Sequence, residues 1–429
     1  MKFDAKTHMT TSAKPDLAWF REAKFGMFIH WGIYAVAGGR WNGESIPGHS
    51  EWMVHKARIP FSDYARLADR FKPHAFDADQ WVRLAQEAGM KYLVVTAKHH
   101  DGFAMFRSFH PYNVVDATPF KRDPLKEIAD ACHRHGMRFG LYYSQDLDWE
   151  APGGSWKWEE SGPNNEFIPV APERFAAYLD AKVKPQLREL LTNYGPVSLI
   201  WFDVPGSITK EQSAELCDYV HALQRNCLVS GRVGHDCGDY GSTGDNQSPD
   251  GASPGDWEMP ATINDNWGFK ADDHNWKSPQ KLIRLLAHCA STGANYLLNV
   301  GPDATGVIPA PSVERLQAIG QWMKQHGESI SGTSKNPFPC DFPWGRVTCK
   351  PGHVYLHFFE WPQGPFTLAG LPNGVQGVRL LSNARVLVPF TQERDPATNA
   401  YRLSLTLPAA APDPWLPVVA LDTLSKKQE

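Results

Sequence analysis

The chain has 429 residues, 42 % hydrophobic and 21 % charged, enough for one large barrel plus a companion or for two or three ordinary domains. Lys and Arg number 43 against 47 Asp and Glu, a net charge of −4, which gives no basic field for nucleic acid and no polybasic surface for acidic lipid. No run of about 18 apolar residues predicts a membrane span. Met1 to Leu17 lacks the apolar core of a secretory signal, so a cytoplasmic protein is expected.

Two excesses stand out, 16 Trp and 17 His. Indole offers a flat apolar face with one N–H donor, which suits a sugar ring, although any single Trp is first a core residue. The seven Cys (Cys132, Cys217, Cys227, Cys237, Cys289, Cys340, Cys349) show no C-x-x-C spacing, so reduced, buried thiols are expected.

Along the chain, helices and apolar strands alternate. Phe76 to Gly89 predicts a helix, with Trp81, Leu84, Ala85 and Ala88 at helical spacing, Asp77 and Gln80 as a capping box and Gly89 as the stop. Tyr92 to Thr96 follows as a strand. Asp123 and Pro124 open a second helix with Leu125, Ile128, Ala129 and Cys132 on one face, closed by Gly136 before the strand Arg138 to Tyr143. Pro172 to Tyr194 is helical with a bend or restart at Pro185, and leads into Ser198 to Phe202. Lys210 to Asn226 precedes Leu228 to Ser230, and Leu282 to Cys289 precedes Tyr296 to Val300. Val313 to His326 ends the series.

Such alternation with apolar strands means parallel strands buried on both faces. No G-x-G-x-x-G follows the early strands, which favours a (β/α)8-like, TIM-type barrel over an open doubly wound sheet. From about Thr333 the pattern changes to period two, with Val354, Leu356 and Phe358 against His353, Tyr355 and His357, and Leu403, Leu405 and Leu407 against Arg402, Ser404 and Thr406. That pattern predicts a C-terminal antiparallel β-sandwich. The expected domains are residues 1–332 and 333–429, with Ser425 to Glu429 frayed.

Reactive side chains of a barrel sit at the carboxyl ends of its strands. Those ends carry His30, Lys98-His99-His100-Asp101, Tyr142-Tyr143-Ser144, Asp203, Arg232 and Asn299. His30, His99, His100 and Asp101 could ligate a metal, but no H-E-x-x-H or comparable spacing supports one, and neither a metal nor another cofactor is expected. His99 and His100 share a site only if their strand has already ended. Asp203 closes an apolar strand, where a carboxylate has no packing role and costs several kcal/mol if left buried and unpaired. It reads as a nucleophile or base. A glycosidase needs a second carboxyl group, about 5–5.5 Å away for retention or 6.5–9.5 Å for inversion. The Gly-, Asp- and Pro-rich loop from Val233 to Trp257 and the residue after it offer Asp236, Asp239, Asp245, Asp250, Asp256 and Glu258.

The stretches Trp19 to Gly32, Glu51-Trp52-Met53, Lys98 to Phe103, Leu141 to Ser144, Trp201-Phe202-Asp203, Trp257-Glu258 with Trp267-Gly268, and Asn295 to Pro302 together resemble the α-L-fucosidases of glycoside hydrolase family 29. The resemblance implies a barrel followed by a sandwich, and retaining, metal-free hydrolysis of terminal α-L-fucose with Asp203 as nucleophile. It also implies a fucose-binding set of His30, Glu51, Trp52, His99, His100, Tyr143, Trp201, Arg232 and Trp267. Many relatives carry their acid/base Glu in a T-P-E-Q-like loop. Here the comparable stretch is Asp239 to Gln247, and Asp245 takes that place with a side chain one methylene shorter. Glu258 is its competitor for the acid/base role.

The expected partner is a fucosylated oligosaccharide, with no nucleic acid and no membrane, and the many Trp near loops leave room for a homo-oligomer. The competing readings are a non-catalytic fucose-binding barrel and a metal-dependent sugar isomerase or epimerase.

Overall fold

The computed structural model describes residues 15–161, 166–250 and 254–424, so residues 1–14 and the tail Ser425 to Glu429 lie outside the described residues. Eight parallel strands form one sheet in chain order: β1 (Phe25–Ile29), β2 (Tyr92–Lys98), β3 (Arg138–Tyr143), β4 (Leu199–Phe202), β5 (Leu228–Val229), β6 (Gly241–Ser242), β7 (Trp257–Thr262) and β8 (Asn295–Val300). β8 pairs back onto β1. The two edges, β5 and β6, meet through Asp239 N–H to Val229 O at 2.8 Å and Gly231 N–H to Tyr240 O at 2.7 Å. The sheet therefore comes round on itself as a (β/α)8-like barrel. Glycine is required at this seam, because a Cβ on Gly238 would stand 2.6 Å from the Gly231 backbone.

Among the described residues the longer helices that flank the barrel are α1 (Ala78–Glu87), α2 (Pro124–His135), α3 (Lys184–Asn193, continuing Pro172–Tyr178 through a π turn), α4 (Lys210–Leu223), α5 (Pro279–Thr292) and α6 (Ala310–His326). Asp77 caps α1 through the Gln80 amide, and Asp123 caps α2 through that of Lys126. The expected bend at Pro185 is the π turn over Leu179–Val183, just ahead of the proline that removes a helical donor.

Strand parity separates two cores. Met27, Leu93, Phe139, Ile200, Met259 and Leu298 face the helices. Phe28, Tyr92, Val94, Tyr142, Leu199, Trp201 and Leu297 fill the barrel interior, which Phe20 and Ala23 join. In β2 the register shifts between Thr96 and Lys98. Lys98 then reaches outward to Asp148 at 2.9 Å, and the strand has ended before His99.

The C-terminal part is an antiparallel sandwich. One sheet has the order β9 (Gly345–Lys350), β10 (His353–Phe358), β16 (Val418–Thr423), β12 (Val375–Leu380), β13 (Asn383–Leu387). The other is β11 (Phe366–Leu371), β15 (Tyr401–Leu405), β14 (Phe390–Arg394). Val354, Leu356 and Phe358 pack against Leu368, Leu403 and Leu405 between the sheets. Of the set on β10 that alternates with the apolar one, His353 is partly exposed, but Tyr355 and His357 do not face solvent. Tyr355 and His357 are buried, because that face lies on the barrel, where Trp322 of α6 donates to Leu416 O at 2.9 Å. Cys132, Cys217, Cys227 and Cys289 are buried as expected, but Cys237 and Cys349 are half-buried and Cys340 is exposed; all seven are free thiols.

Candidate active site

At the carboxyl ends of β1 to β5 a cavity of about 390 Å³, open mouth included, is lined by Phe28, His30, Glu51, Trp52, His99, His100, Tyr142, Trp201, Asp203, Val204, Arg232, Asp245 and Trp267. Ten of the twelve residues singled out from sequence meet there.

Asp203 follows β4, on the inward parity of Leu199 and Trp201. Its Oδ2 accepts from the Tyr142 hydroxyl at 2.8 Å, and its Oδ1 from Arg232 Nη1 at 3.0 Å. Its own amide donates to Gln145. The next residue, Val204, has φ +47°, a left-handed conformation that costs a β-branched side chain about 1–3 kcal/mol. The strained step lies where the chain leaves the strand to present the carboxylate.

Arg232 follows β5 and lies over the Trp201 ring, 4.7 Å from its centroid. Its Nη2 contacts Asp245 Oδ1 and donates to Thr243 O, while Nε donates to Ser242 Oγ. Burial works against the guanidinium charge, but Asp203 and then Asp245 outweigh it and keep it ionised. Sharing one guanidinium keeps the two carboxylates inside the separations, up to about 9.5 Å, that glycosidase pairs span. Asp245 is half exposed and sits on the loop after β6, which is pinned to β7 by Thr243 N–H to Glu258 O and Asn246 N–H to Pro260 O.

Neutral acceptors line the rest. Asn299 gives its amide N–H to Trp267 O, which leaves Oδ1 to accept from His30 Nδ1–H at 2.7 Å and makes His30 Nε2 an acceptor. Burial lowers His30 to about 4. Ser144 donates to Leu147 O and therefore accepts from His100 Nδ1–H. His100 Nε2 is then a lone pair 3.7 Å from Asp203 Oδ2, two acceptors with room for one donor between them. Burial, and then Lys98, hold His100 well below its ordinary value; burial, and then His100, do the same for His99. Among the residues that line the cavity, two buried atoms have no partner in the protein: His99 Nδ1 and Glu51 Oε1. Glu51 Oε2 accepts from the Gly268 amide. Trp52 meets His100 edge to face at 4.9 Å.

Two expected site residues are elsewhere. Tyr143 points outward, where its hydroxyl donates to Gln186 at 2.7 Å; Tyr142, its neighbour with opposite parity, lines the cavity instead. Glu258 is the second residue of β7, at the amino end of that strand, and is wholly buried beneath the floor. A carboxyl group there does not line the cavity, so the structure does not bring Glu258, expected as the competitor for the acid/base role, into the site. The other loop acids are also accounted for: Asp256 pairs with Arg21, Asp239 ties His221 to the Val229 amide, and neither they, Asp236 nor Asp250 line the cavity. Asp101 accepts from the Tyr64 hydroxyl and the Phe103 amide, away from the histidines. Phe28 and Val204 line the site without having been singled out. Phe28 was available from parity, two residues before His30 on the same strand face, whereas nothing in the sequence marked Val204.

A sequence model of the α-L-fucosidase family matches residues 2–328. The human plasma α-L-fucosidase is 32 % identical over 400 residues, covering 86 % of this chain and 82 % of that protein. A crystal structure of an α-L-fucosidase from Vibrio sp. strain EJY3 superposes with TM-score 0.88 at 37 % identity, over 96 % of this chain and 73 % of that one. An α-L-fucosidase from Lactobacillus casei in complex with α-L-fucose product superposes with TM-score 0.65 at 43 % identity, over 73 % of this chain and all of the other.

Proposed function

The chain belongs to the α-L-fucosidase family, and from that premise we propose that it is an exo-acting, retaining glycoside hydrolase that removes terminal α-L-fucose from oligosaccharides or glycoconjugates. Asp203 is the nucleophile and Asp245 the acid/base. The observation that carries the assignment is the pair of donors on Asp203, Tyr142 and Arg232, with Asp245 on the same guanidinium. The reading of a non-catalytic binder and that of a metal-dependent isomerase have no support in the family.

In the first step an Asp203 oxygen attacks the anomeric carbon, the glycosidic C–O bond breaks, and the leaving oxygen takes the Asp245 proton. The resulting ester is neutral at Asp203. Arg232, which had held the Asp203 carboxylate and the Asp245 acid together, is then left to Asp245 alone. In the second step Asp245 takes a proton from water as the water oxygen attacks C1 and frees Asp203.

Recognition of the sugar follows from the acceptors. Glu51 Oε1, His30 Nε2 and His100 Nε2 take ring hydroxyl protons, and Phe28, Trp52, Trp201 and Trp267 face the C–H surface and the 6-methyl group, a contact of about 1–3 kcal/mol. No residue beyond 300 lines the cavity. We accordingly assign residues 1–332 the reaction and 333–429 a bracing role.

Incubation with a 2-fluoro fucosyl inhibitor followed by peptide mapping tests the reading. The label is expected on Asp203, and Asp203→Ala is expected to bind fucose without turnover. A label on any other residue refutes the assignment. Asp245→Ala is expected to spare substrates with good leaving groups and to be rescued by azide.

A further inference from the structure

One carboxyl group inside the barrel takes no part in the chemistry above it. Glu258 Oε1 accepts from the Tyr92 hydroxyl at 2.5 Å, and Oε2 accepts from the Trp201 indole N–H at 2.7 Å. Around them the barrel interior is apolar, with Val94, Leu199, Leu228 and Leu297. A carboxyl group in such a place is costly, and well-packed apolar residues would fill the space without that cost.

What it holds is the tryptophan under the nucleophile. The Trp201 ring lies nearly parallel to Tyr142, with centroids 5.6 Å apart and planes at 18°, and carries the Arg232 guanidinium over it. Tyr142 and Arg232 are the two side-chain donors to Asp203. An indole has one donor, and here it goes to Glu258.

We propose that Glu258 is a positioning residue for the nucleophile: by gripping the Trp201 N–H it fixes the plate on which Tyr142 and Arg232 rest, and so aims both donors at Asp203. The inference rests on Asp203 being the nucleophile. Burial pushes Glu258 up to about 7, against Tyr92, Trp201, Arg232 and Tyr240, which lower it. The grip survives either state, because a protonated Oε1 donates to the Tyr92 oxygen while Oε2 still accepts from Trp201. Glutamine reproduces that arrangement, with its amide N–H toward Tyr92 and its carbonyl toward Trp201.

The test compares Glu258→Leu and Glu258→Gln on aryl α-L-fucosides of graded leaving-group ability. Misplacing a reacting group by about 1 Å costs about 100-fold, so Glu258→Leu is expected to lose about that factor in kcat/KM. The loss should be equal for good and poor leaving groups and without azide rescue, while Glu258→Gln recovers to within a few-fold of wild type. Trp201→Phe, which keeps a ring but lacks the N–H, is expected to show a comparable loss, and adding Glu258→Leu to it should cost nothing more. If Glu258→Leu fails to fold, Trp201→Phe alone carries the test, and wild-type kcat/KM in it overturns the proposal. Wild-type activity in Glu258→Leu, a Gln variant as damaged as the Leu variant, or additive losses with Trp201→Phe overturn the proposal. So does a loss confined to poor leaving groups and relieved by azide, which would make Glu258 the acid. Failure of the functional reading is separate: it appears as a fluoro-sugar label away from Asp203 in the wild-type protein.

Discussion

Replacing Tyr142 by Phe removes one hydroxyl and leaves the ring that stacks on Trp201. The bond lost is a 2.8 Å donor to a carboxylate in a buried setting, and bonds to charged groups contribute about 1.5–3 kcal/mol. No neighbour can substitute. His100 is 3.7 Å away with its lone pair, not its proton, toward Asp203, and Arg232 already occupies Oδ1. With one oxygen held, the carboxylate plane is free to turn about that contact, and the attacking lone pair loses its aim. The expected loss in kcat is about 10- to 150-fold, with a smaller effect on KM, because the hydroxyl is committed to Asp203 rather than to the sugar. Steady-state kinetics on an aryl fucoside, with fluoro-sugar labelling rates for the first step alone, measure it. Tyr143→Phe is the internal control. It loses the bond to Gln186, so it should cost about 1–2 kcal/mol of stability and leave kcat unchanged. The reasoning is refuted if Tyr142→Phe turns over like wild type, and doubly so if Tyr143→Phe is the one that fails.

Other outcomes follow from burial and strain. Glu258 holds its proton up to about 7 in the fold but releases it near 4.5 when unfolded, so its contribution is full below pH 4.5 and lost as pH rises through 7. Glu258→Gln has no such loss, and its stability relative to wild type should climb by about 3 kcal/mol between pH 4.5 and 8 in urea unfolding; a constant difference would contradict the assignment. His357 has the opposite sign. Burial lowers it to about 3, so it destabilises the fold as pH falls below about 6.5, and His357→Gln should gain on wild type under acid conditions. Val204→Gly relieves the left-handed strain but loosens the unfolded chain, for a net change of about 0–1 kcal/mol in favour of the variant. Its kcat should nevertheless fall, because the turn beside Asp203 is no longer rigid; a large loss of stability would show that the strain is not there.

The barrel and its site were legible because both depend on local pattern. Apolar strands, capped helices and polar strand ends can be counted residue by residue, and Asp203, His30 and Arg232 follow from that count. Parity was less accessible. Tyr142 and Tyr143 differ only in which wall they face, and the choice follows from Tyr142 lying in register with the inward Trp201, a pairing between distant segments. Glu258 misled for a related reason: it follows a strand-like position, but at the end of β7 away from the site, and only the pairing with β8 shows which end that is. The burial of Tyr355 and His357 was not legible, because alternation records polarity, not what another part of the chain covers. Asp245 was singled out through the composition of its loop together with the family resemblance, and it lines the cavity.

The closing seam of the barrel has a mechanical meaning as well. Its two edge strands are two residues long each, and the chain leaves one edge to place Arg232 and the other to place Asp245. Arg232 also reaches Ser242 and Thr243 on the far edge. It is therefore a rivet across the joint between the two short edges, and any slackening there changes the distance between Asp203 and Asp245, the two carboxylates proposed to react. Substitutions of this arginine will read out wall tension together with charge.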